Sequence, residues 1–319
     1  MPAISRAKLD RRHLLGIEDL SPDEITRILD EARRYRDVVD RGEGLDTLRG
    51  STVVNLFFEN STRTRMSFEM AAKRLGAYVV NFDVSTSSFR KGETLLDSVQ
   101  TIAALGADYV VMRHASSGAA AFIAPHFDAS VLNAGDGEHE HPSQALLDAF
   151  TIREALGRVE GLRVTIVGDI LHSRVARSLI WCLVKLGARV TVCGPTTLVP
   201  AGLSDLGVPL RVTNTLDEGV RGADVVYLLR IQLERQRVGR FPSLAEYRRM
   251  YGLDEARLRG GKPDVLVMHP GPVNRGVEIT DEVMRRDNTL VVRQVENGVP
   301  VRMAILSLLD REGARGGAS

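Results

Sequence analysis

Apolar positions along the chain follow two alternating rhythms: short β-branched or aromatic runs that predict strands, and three- or four-residue spacings that predict helices. Ser21, Pro22 and Glu24 have the form of a capping box with proline in the first turn, and Ile25, Ile28 and Leu29 follow at helical spacing. A helix is therefore expected to about Val39. Next come STVVNLFF from Ser51, MSFEMAAKRL from Met66, YVVNF from Tyr78, ETLLDSVQTIAAL from Glu93 and DYVVM from Asp108. Strands alternating with helices imply a parallel sheet with crossover helices. Gly76 and Gly106 stand where C′ glycines would end two of those helices.

A long helical pattern after Pro142, SQALLDAFTIREAL, leads into a second alternating series. It comprises RVTIVGD from Arg163, a helix across Val175 to Leu186, RVTVCG from Arg189, DVVYLL from Asp224 and DVLVM from Asp264. A last helix is expected from about Val301 to Leu309. The fold class read from this order is α/β, with two doubly wound units, each a central parallel sheet flanked by helices. No internal repeat or low-complexity tract interrupts it, and the terminal EGARGGAS is expected to fray.

Composition narrows the partners. A chain of 319 residues with 44% hydrophobic residues can bury the cores of two domains. Forty-two basic against 41 acidic residues leave a net charge of +1, so there is no global basic field to grip nucleic acid. Two cysteines, Cys182 and Cys193, make neither a disulfide framework nor a CxxC zinc site, which fits a reducing cytoplasm. Nowhere do about 18 consecutive apolar residues occur, so no membrane span is expected.

Candidate chemistry lies at the ends of the predicted strands. In FFENSTRTRMSFE, hydroxyl residues and arginines stand between a strand and a helix. Hydroxyls there would satisfy orphan amides, and the free N–H groups with Arg63 and Arg65 would suit phosphate or carboxylate; the rival reading is an ordinary capped helix. GDGEHEHPSQ, from Gly135, offers His139, His141 and Gln144 at the end of SVLNA. Metal ligation lacks a convincing third ligand, so His141 and Gln144 read as hydrogen-bonding groups, with Glu138 and Glu140 on a solvated loop edge.

VGDILHSRVARS puts Gly168 and Asp169 after a strand and Arg174 at a helix start, without the GxGxxG spacing of a dinucleotide site. Arg230, in LLRIQLER, lies just past a strand with Gln232 two residues on. Arg230 alone could be a plain surface charge, or Arg174 and Arg230 together could clamp a dicarboxylate through paired, charge-assisted hydrogen bonds. MHPGPVNRG is a rigid turn that could hold carbonyl groups in place, and SSFRKGE by itself is an ordinary polar loop.

Taken together, these segments resemble the aspartate/ornithine carbamoyltransferase family across nearly the whole chain. STRTR, the arginine of VMRH, HPSQ and HPGP occur in the family's order and approximate spacing. FFENSTRTR, SSFRKGE, LNAGDGEHEHPSQ and RIQLER favour its aspartate branch; the ornithine branch would show an HCLP turn, whereas His269 is followed by Pro270, Gly271 and Pro272.

The resemblance implies a carbamoyl-phosphate-binding domain of residues 1–143 with 292–319, and an L-aspartate-binding domain of residues 144–291. It assigns the phosphate to Ser61, Thr62, Arg63 and Thr64, and the carbamoyl group to Arg113, His141 and Gln144, with backbone groups at Pro270 and Gly271 and with Pro272 beside them. Lys91, Arg174, Arg230 and Gln232 would bind aspartate, with Ser87 and Lys91 reaching into a neighbouring subunit's site in a homotrimer. No metal or cofactor is called for, and the resemblance leaves room for regulatory chains or a dihydroorotase as partners. Transfer to ornithine or another amine, and a non-catalytic anion-binding protein, are the alternatives.

Overall fold

The computed structural model describes residues 8–83, 94–203, 207–231 and 243–309. Ser87, Lys91 and Gln232 lie outside the described residues. The chain forms two compact units, Met1–Leu147 with Glu296–Ser319, and Asp148–Val295. Two sheets of parallel strands flanked by helices make both units α/β, as the alternation of patterns implies.

The first unit contains α1 (Pro22–Asp40), β1 (Thr52–Phe57), α2 (Thr62–Arg74), β2 (Tyr78–Asp83), α3 (Leu95–Ala104), β3 (Tyr109–His114), α4 (Ala119–Ile123) and β4 (Ser130–Asp136), and α5 (Pro142–Leu156) starts in it. The second contains β5 (Arg163–Val167), α6 (Arg174–Lys185), β6 (Arg189–Cys193), β7 (Leu210–Thr213), α7 (Leu216–Val220), β8 (Val225–Leu228), α8 (Leu244–Tyr251), α9 (Glu255–Leu258), β9 (Leu266–Met268) and α10 (Asp281–Met284). Helix α11 (Val291–Leu308) starts in the second unit and ends in the first.

The strand orders are β2-β1-β3-β4 and β7-β6-β5-β8-β9, all parallel. Each order reverses direction once, between β1 and β3 and between β5 and β8. One aspartate pins each of these central pairs at its amino edge. Asp108 accepts the Thr52 amide at 2.8 Å and returns its own amide to the Thr52 carbonyl at 3.0 Å; Asp224 does the same with Arg163, at 2.8 and 2.9 Å. Burial opposes the ionisation of Asp224, but the Arg163 amide and Lys262 outweigh it and hold its carboxyl below the usual range.

The local signals operate as read from the chain. Ser21 and Glu24 exchange side-chain-to-backbone hydrogen bonds in a complete capping box, with Pro22 in the first turn. At the end of α2, the Gly76 amide reaches the Lys73 carbonyl and the Ala77 amide the Ala72 carbonyl, the Schellman pattern, with Gly76 at φ +83°. Strand β1 is buried from Val53 to Phe57, as a central parallel strand should be, whereas Tyr78 and Val80 on edge strand β2 are exposed.

Three expectations need correction. Helix α2 begins at Thr62, not Met66, so the Thr-Arg-Thr run is its first turn. Helix α11 begins at Val291, ten residues before the expected start. Gly298 and Pro300, ahead of the expected start, both lie within this helix. Pro300 has no amide to donate within the helix, and Glu296, one turn earlier, is where the two units divide. Finally, Glu140 is no solvated edge: it is 2% exposed and accepts the amides of Ile17 at 3.0 Å and Glu18 at 3.3 Å. Those hydrogen bonds offset the cost of burying its carboxylate.

His13 docks the amino-terminal segment onto β4 by accepting the Val131 amide at 3.0 Å. Burial, with Arg12 next to it, lowers its pKa from 6.5 to about 4. A depressed folded pKa means the unfolded chain takes up the proton first as pH falls. The stability that neutral His13 contributes is full above pH 6.5 and is lost toward pH 4. We expect wild type to exceed His13→Asn in unfolding midpoint at pH 7, with the gap narrowing at pH 4.5; parallel urea titrations at both pH values measure it.

Candidate active site

In a parallel sheet, ligands gather beyond the carboxyl ends of the strands where the strand order reverses. In the first unit that place follows β1 and β3. Phe57 and Arg113 are register partners there, and the Phe58 amide donates to the Arg113 carbonyl at 2.9 Å. The Arg113 side chain, 15% exposed, donates to the Ala134 carbonyl of β4 at 3.3 Å and lies 3.4 Å from Glu59.

Helix α2 starts directly after β1. Ser61 occupies its N-cap position, but its side chain accepts no amide, contrary to the expectation that hydroxyls satisfy the orphan donors. The first turn carries no acidic residue. A 13-residue helix thus presents an uncapped positive end, and an anion answers both its amides and its dipole. Thr64 is buried, while Thr62, Arg63 and Arg65 are exposed and Ser61 is intermediate.

The loop after β4 supplies the other bank. Asp136 accepts from Asn133 Nδ2 at 2.8 Å, the Gly118 amide at 2.7 Å and the Glu140 amide at 3.1 Å, so one buried carboxylate shapes the whole turn. His139 Nδ1 also lies 3.1 Å from Asp136, and its side chain is 44% exposed. Among the described residues no group of three His, Cys, Asp or Glu side chains is placed to hold a metal ion. His141, 4% exposed, immediately precedes α5, and Gln144 lies in that helix's first turn with its amide on the His141 carbonyl at 3.0 Å.

The second unit repeats this logic at β5 and β8. After β5, Asp169 accepts the His172 amide at 3.2 Å and faces His172 Nδ1 at 2.8 Å, both side chains being buried. This ties the loop that delivers Arg174, 4% exposed, to the first position of α6; Ser173 caps that helix by accepting the Ala176 amide. Gly168, at φ +131°, has Leu229 and the Tyr247 hydroxyl 3.1 Å from where a Cβ would stand, so only glycine fits. Arg230, half-buried, stands two residues past the end of β8.

After β9, the His269 amide donates to Gln294 Oε1 at 3.0 Å, and Gln294 Nε2 donates to Asp148 at 2.7 Å, which also accepts the Tyr227 hydroxyl at 2.6 Å. His269 Nδ1 accepts the Gly271 amide at 2.8 Å, the Gly271–Pro272 peptide is cis, and Gly271 has φ +66°. Pro270 and Gly271 are partly exposed and Pro272 is exposed.

Glu278, which no motif singled out, joins the two strand ends. It is 1% exposed and accepts the Ile231 amide at 3.0 Å, the Asn274 amide at 2.7 Å and Asn274 Nδ2 at 2.8 Å. Burial raises its pKa; these hydrogen bonds and Arg230 pull the other way. In the sequence it is one acid among many in a loop, and only the fold makes it a hub.

Both halves of the chain match models of one family: residues 12–154 its aspartate/ornithine carbamoyltransferase carbamoyl-P binding domain, and residues 160–309 its Asp/Orn binding domain. The chain belongs to the aspartate/ornithine carbamoyltransferase family. Within it, the chain is 54% identical over 302 residues to the aspartate carbamoyltransferase catalytic subunit of Halothermothrix orenii, covering 94% of this chain and 96% of that one. Its counterpart from Granulibacter bethesdensis is 55% identical over 307 residues, covering 96% of each.

Aspartate transcarbamoylase from Trypanosoma cruzi, solved with carbamoyl phosphate and aspartate, superposes with a TM-score of 0.87 at 34% identity, over 95% of this chain and 98% of that one. Ornithine carbamoyltransferase from Pyrococcus furiosus reaches 0.84 at 29% identity, over 95% and 98%. The fold is thus common to both branches and does not by itself separate them.

Replacing Glu278 by Ala strips two backbone amides of their acceptor, and each such buried loss costs about 1–3 kcal/mol. We expect a clearly lowered thermal unfolding transition for Glu278→Ala, with Glu278→Gln falling between it and wild type; calorimetry on the three proteins checks this.

Proposed function

We infer that the chain transfers the carbamoyl group of carbamoyl phosphate to the α-amino group of L-aspartate, giving N-carbamoyl-L-aspartate and phosphate. One observation carries the reading: the same chain has an uncapped helix start beside Arg113 at one reversal of strand order, and Arg174 and Arg230 at the other. The first suits a phosphate and the second a dicarboxylate. Identity of 54–55% with aspartate carbamoyltransferase catalytic subunits over nearly the whole chain supports the same choice.

In this mechanism Ser61, Thr62, Arg63 and Thr64 hold the phosphate, and Gln144 and the backbone at Pro270 and Gly271 hold the carbamoyl amide, with Pro272 alongside. Arg174, Arg230 and Gln232 bind the two carboxylates of aspartate. The neutral amine attacks the carbonyl carbon. Negative charge passes to the carbonyl oxygen, where Thr64, Arg113 and His141 stabilise it by donating hydrogen bonds. The tetrahedral adduct then expels phosphate, which takes the amine proton. No side-chain nucleophile is used; alignment and electrostatic stabilisation supply the rate.

The product is a pyrimidine precursor, and both cysteines are free and buried, which supports a reducing cytoplasm. Among the described residues no helix is long and apolar enough to cross a membrane. The proposed assembly is a homotrimer in which Ser87 and Lys91 complete a neighbour's site. Exposed apolar side chains support self-association: Tyr78 and Val80 on edge strand β2, and Met66 and Met70 one turn apart on α2.

Arg63→Ala and His141→Ala are expected to cut turnover a few hundredfold, since loss of one oxyanion or phosphate donor costs about 3–4 kcal/mol. Steady-state formation of carbamoyl-aspartate, with circular dichroism to verify folding, measures both, and near-normal turnover in either removes its assigned role. Arg230→Ala should chiefly raise the KM for aspartate. Mixing inactive Lys91→Ala and Arg63→Ala subunits should restore part of the activity on exchange; no recovery argues against shared sites.

A further inference from the structure

Arg302, in α11, is 3% exposed, and its guanidinium reaches two other helices of the first unit. Nη1 donates to Ser67 Oγ of α2 at 2.9 Å and to the Gly298 carbonyl at 3.1 Å, while Nη2 donates to Ser143 Oγ of α5 at 3.4 Å. The guanidinium also lies 4.9 Å over the ring of Phe68, within cation–π range. Gly298 leaves the space this needs: a Cβ there would stand 2.5 Å from Nη1 and 3.1 Å from Ser67 Oγ.

The two serines sit next to the candidate anion site. Ser67 lies one turn beyond Thr64, and Ser143 lies between His141 and Gln144. Each serine gives the arginine a hydroxyl oxygen as acceptor. A planar, five-donor fork can hold two acceptors at a set distance, which a lysine cannot do.

We propose that Arg302 is a positioning residue for the carbamoyl-phosphate half of the site, clamping the starts of α2 and α5 so that residues 61–64 and 141–144 keep one fixed separation. The proposal rests on reading those residues as the two banks of the anion site. Arg302 itself touches no reacting atom; it acts through Ser67 and Ser143. The geometry needed for tight phosphate binding is sub-ångström, so loosening the clamp weakens binding of the anion before it unfolds the helices.

The test uses full-length Arg302→Met, which keeps the stem, Arg302→Lys, and the double variant Ser67→Ala, Ser143→Ala. Calorimetric titration with inorganic phosphate and with carbamoyl phosphate should show affinity about tenfold weaker in Arg302→Met and in the double variant, with Lys between them and wild type. The KM for aspartate at saturating carbamoyl phosphate should stay within twofold of wild type, about the scatter of such comparisons. Amide exchange should quicken across residues 61–67 and 141–147 together. Unchanged exchange at both segments, or quickened exchange with unaltered phosphate affinity, overturns the proposal; so does an equal rise in both KM values. Should wild type bind neither phosphate nor carbamoyl phosphate, the anion site falls, and with it the positioning role, while the exchange data still report whether the clamp exists.

Discussion

Parallel strand pairing is the constraint on which the rest depends. A parallel strand must be followed by a crossover, so each of β1, β3, β4, β5, β8 and β9 delivers its next residues at the same edge of its sheet. Reversal of strand order between β1 and β3, and again between β5 and β8, opens a place at that edge which no crossover covers. Residues 61–64, Arg113, His141, Arg174, Arg230 and the turn at Pro270 all come from these ends. Asp108 and Asp224 pin the amino edges of the same central pairs, which leaves the carboxyl edges aligned and available.

What the sheets bring near, buried polar groups then hold still. Asp136 closes the loop after β4, Asp169 with His172 the loop after β5, and Glu278 fastens the segment after β8 to the one after β9. Asp148 and Gln294 anchor His269, and Arg302 ties α2 to α5. In each case a charged or amide side chain lies out of water, where an unmade hydrogen bond is costly and a made one is rigid. A rigid surround matters for a reaction without a side-chain nucleophile, because alignment is then most of what the protein contributes.

Much of this was legible in the chain. Alternating strand and helix patterns gave the fold class, Ser21 and Glu24 the first cap, and Gly76 and Gly106 two helix ends, since these signals act over a few residues. Local rules also misled. The last helix reads as starting near Val301, yet α11 runs through Gly298 and Pro300 before it; Gly298 makes room for Arg302, and the helix tolerates a proline that has no amide to donate. Glu140 looks like a surface acid, but the amides of Ile17 and Glu18, more than 120 residues away, draw it inside. Ser61 looks like a helix cap, and its side chain leaves that task undone.

The sequence by itself determined the order of elements, the parallel class of both sheets and the residue types able to bind two anions, because periodicity and side-chain chemistry are local properties. Only tertiary structure decided which of those residues are held, and by what. Glu278, Asp148 and Arg302 belong to no motif, since each gains its role from partners brought close by folding, across 47, 146 and 235 positions of chain in turn.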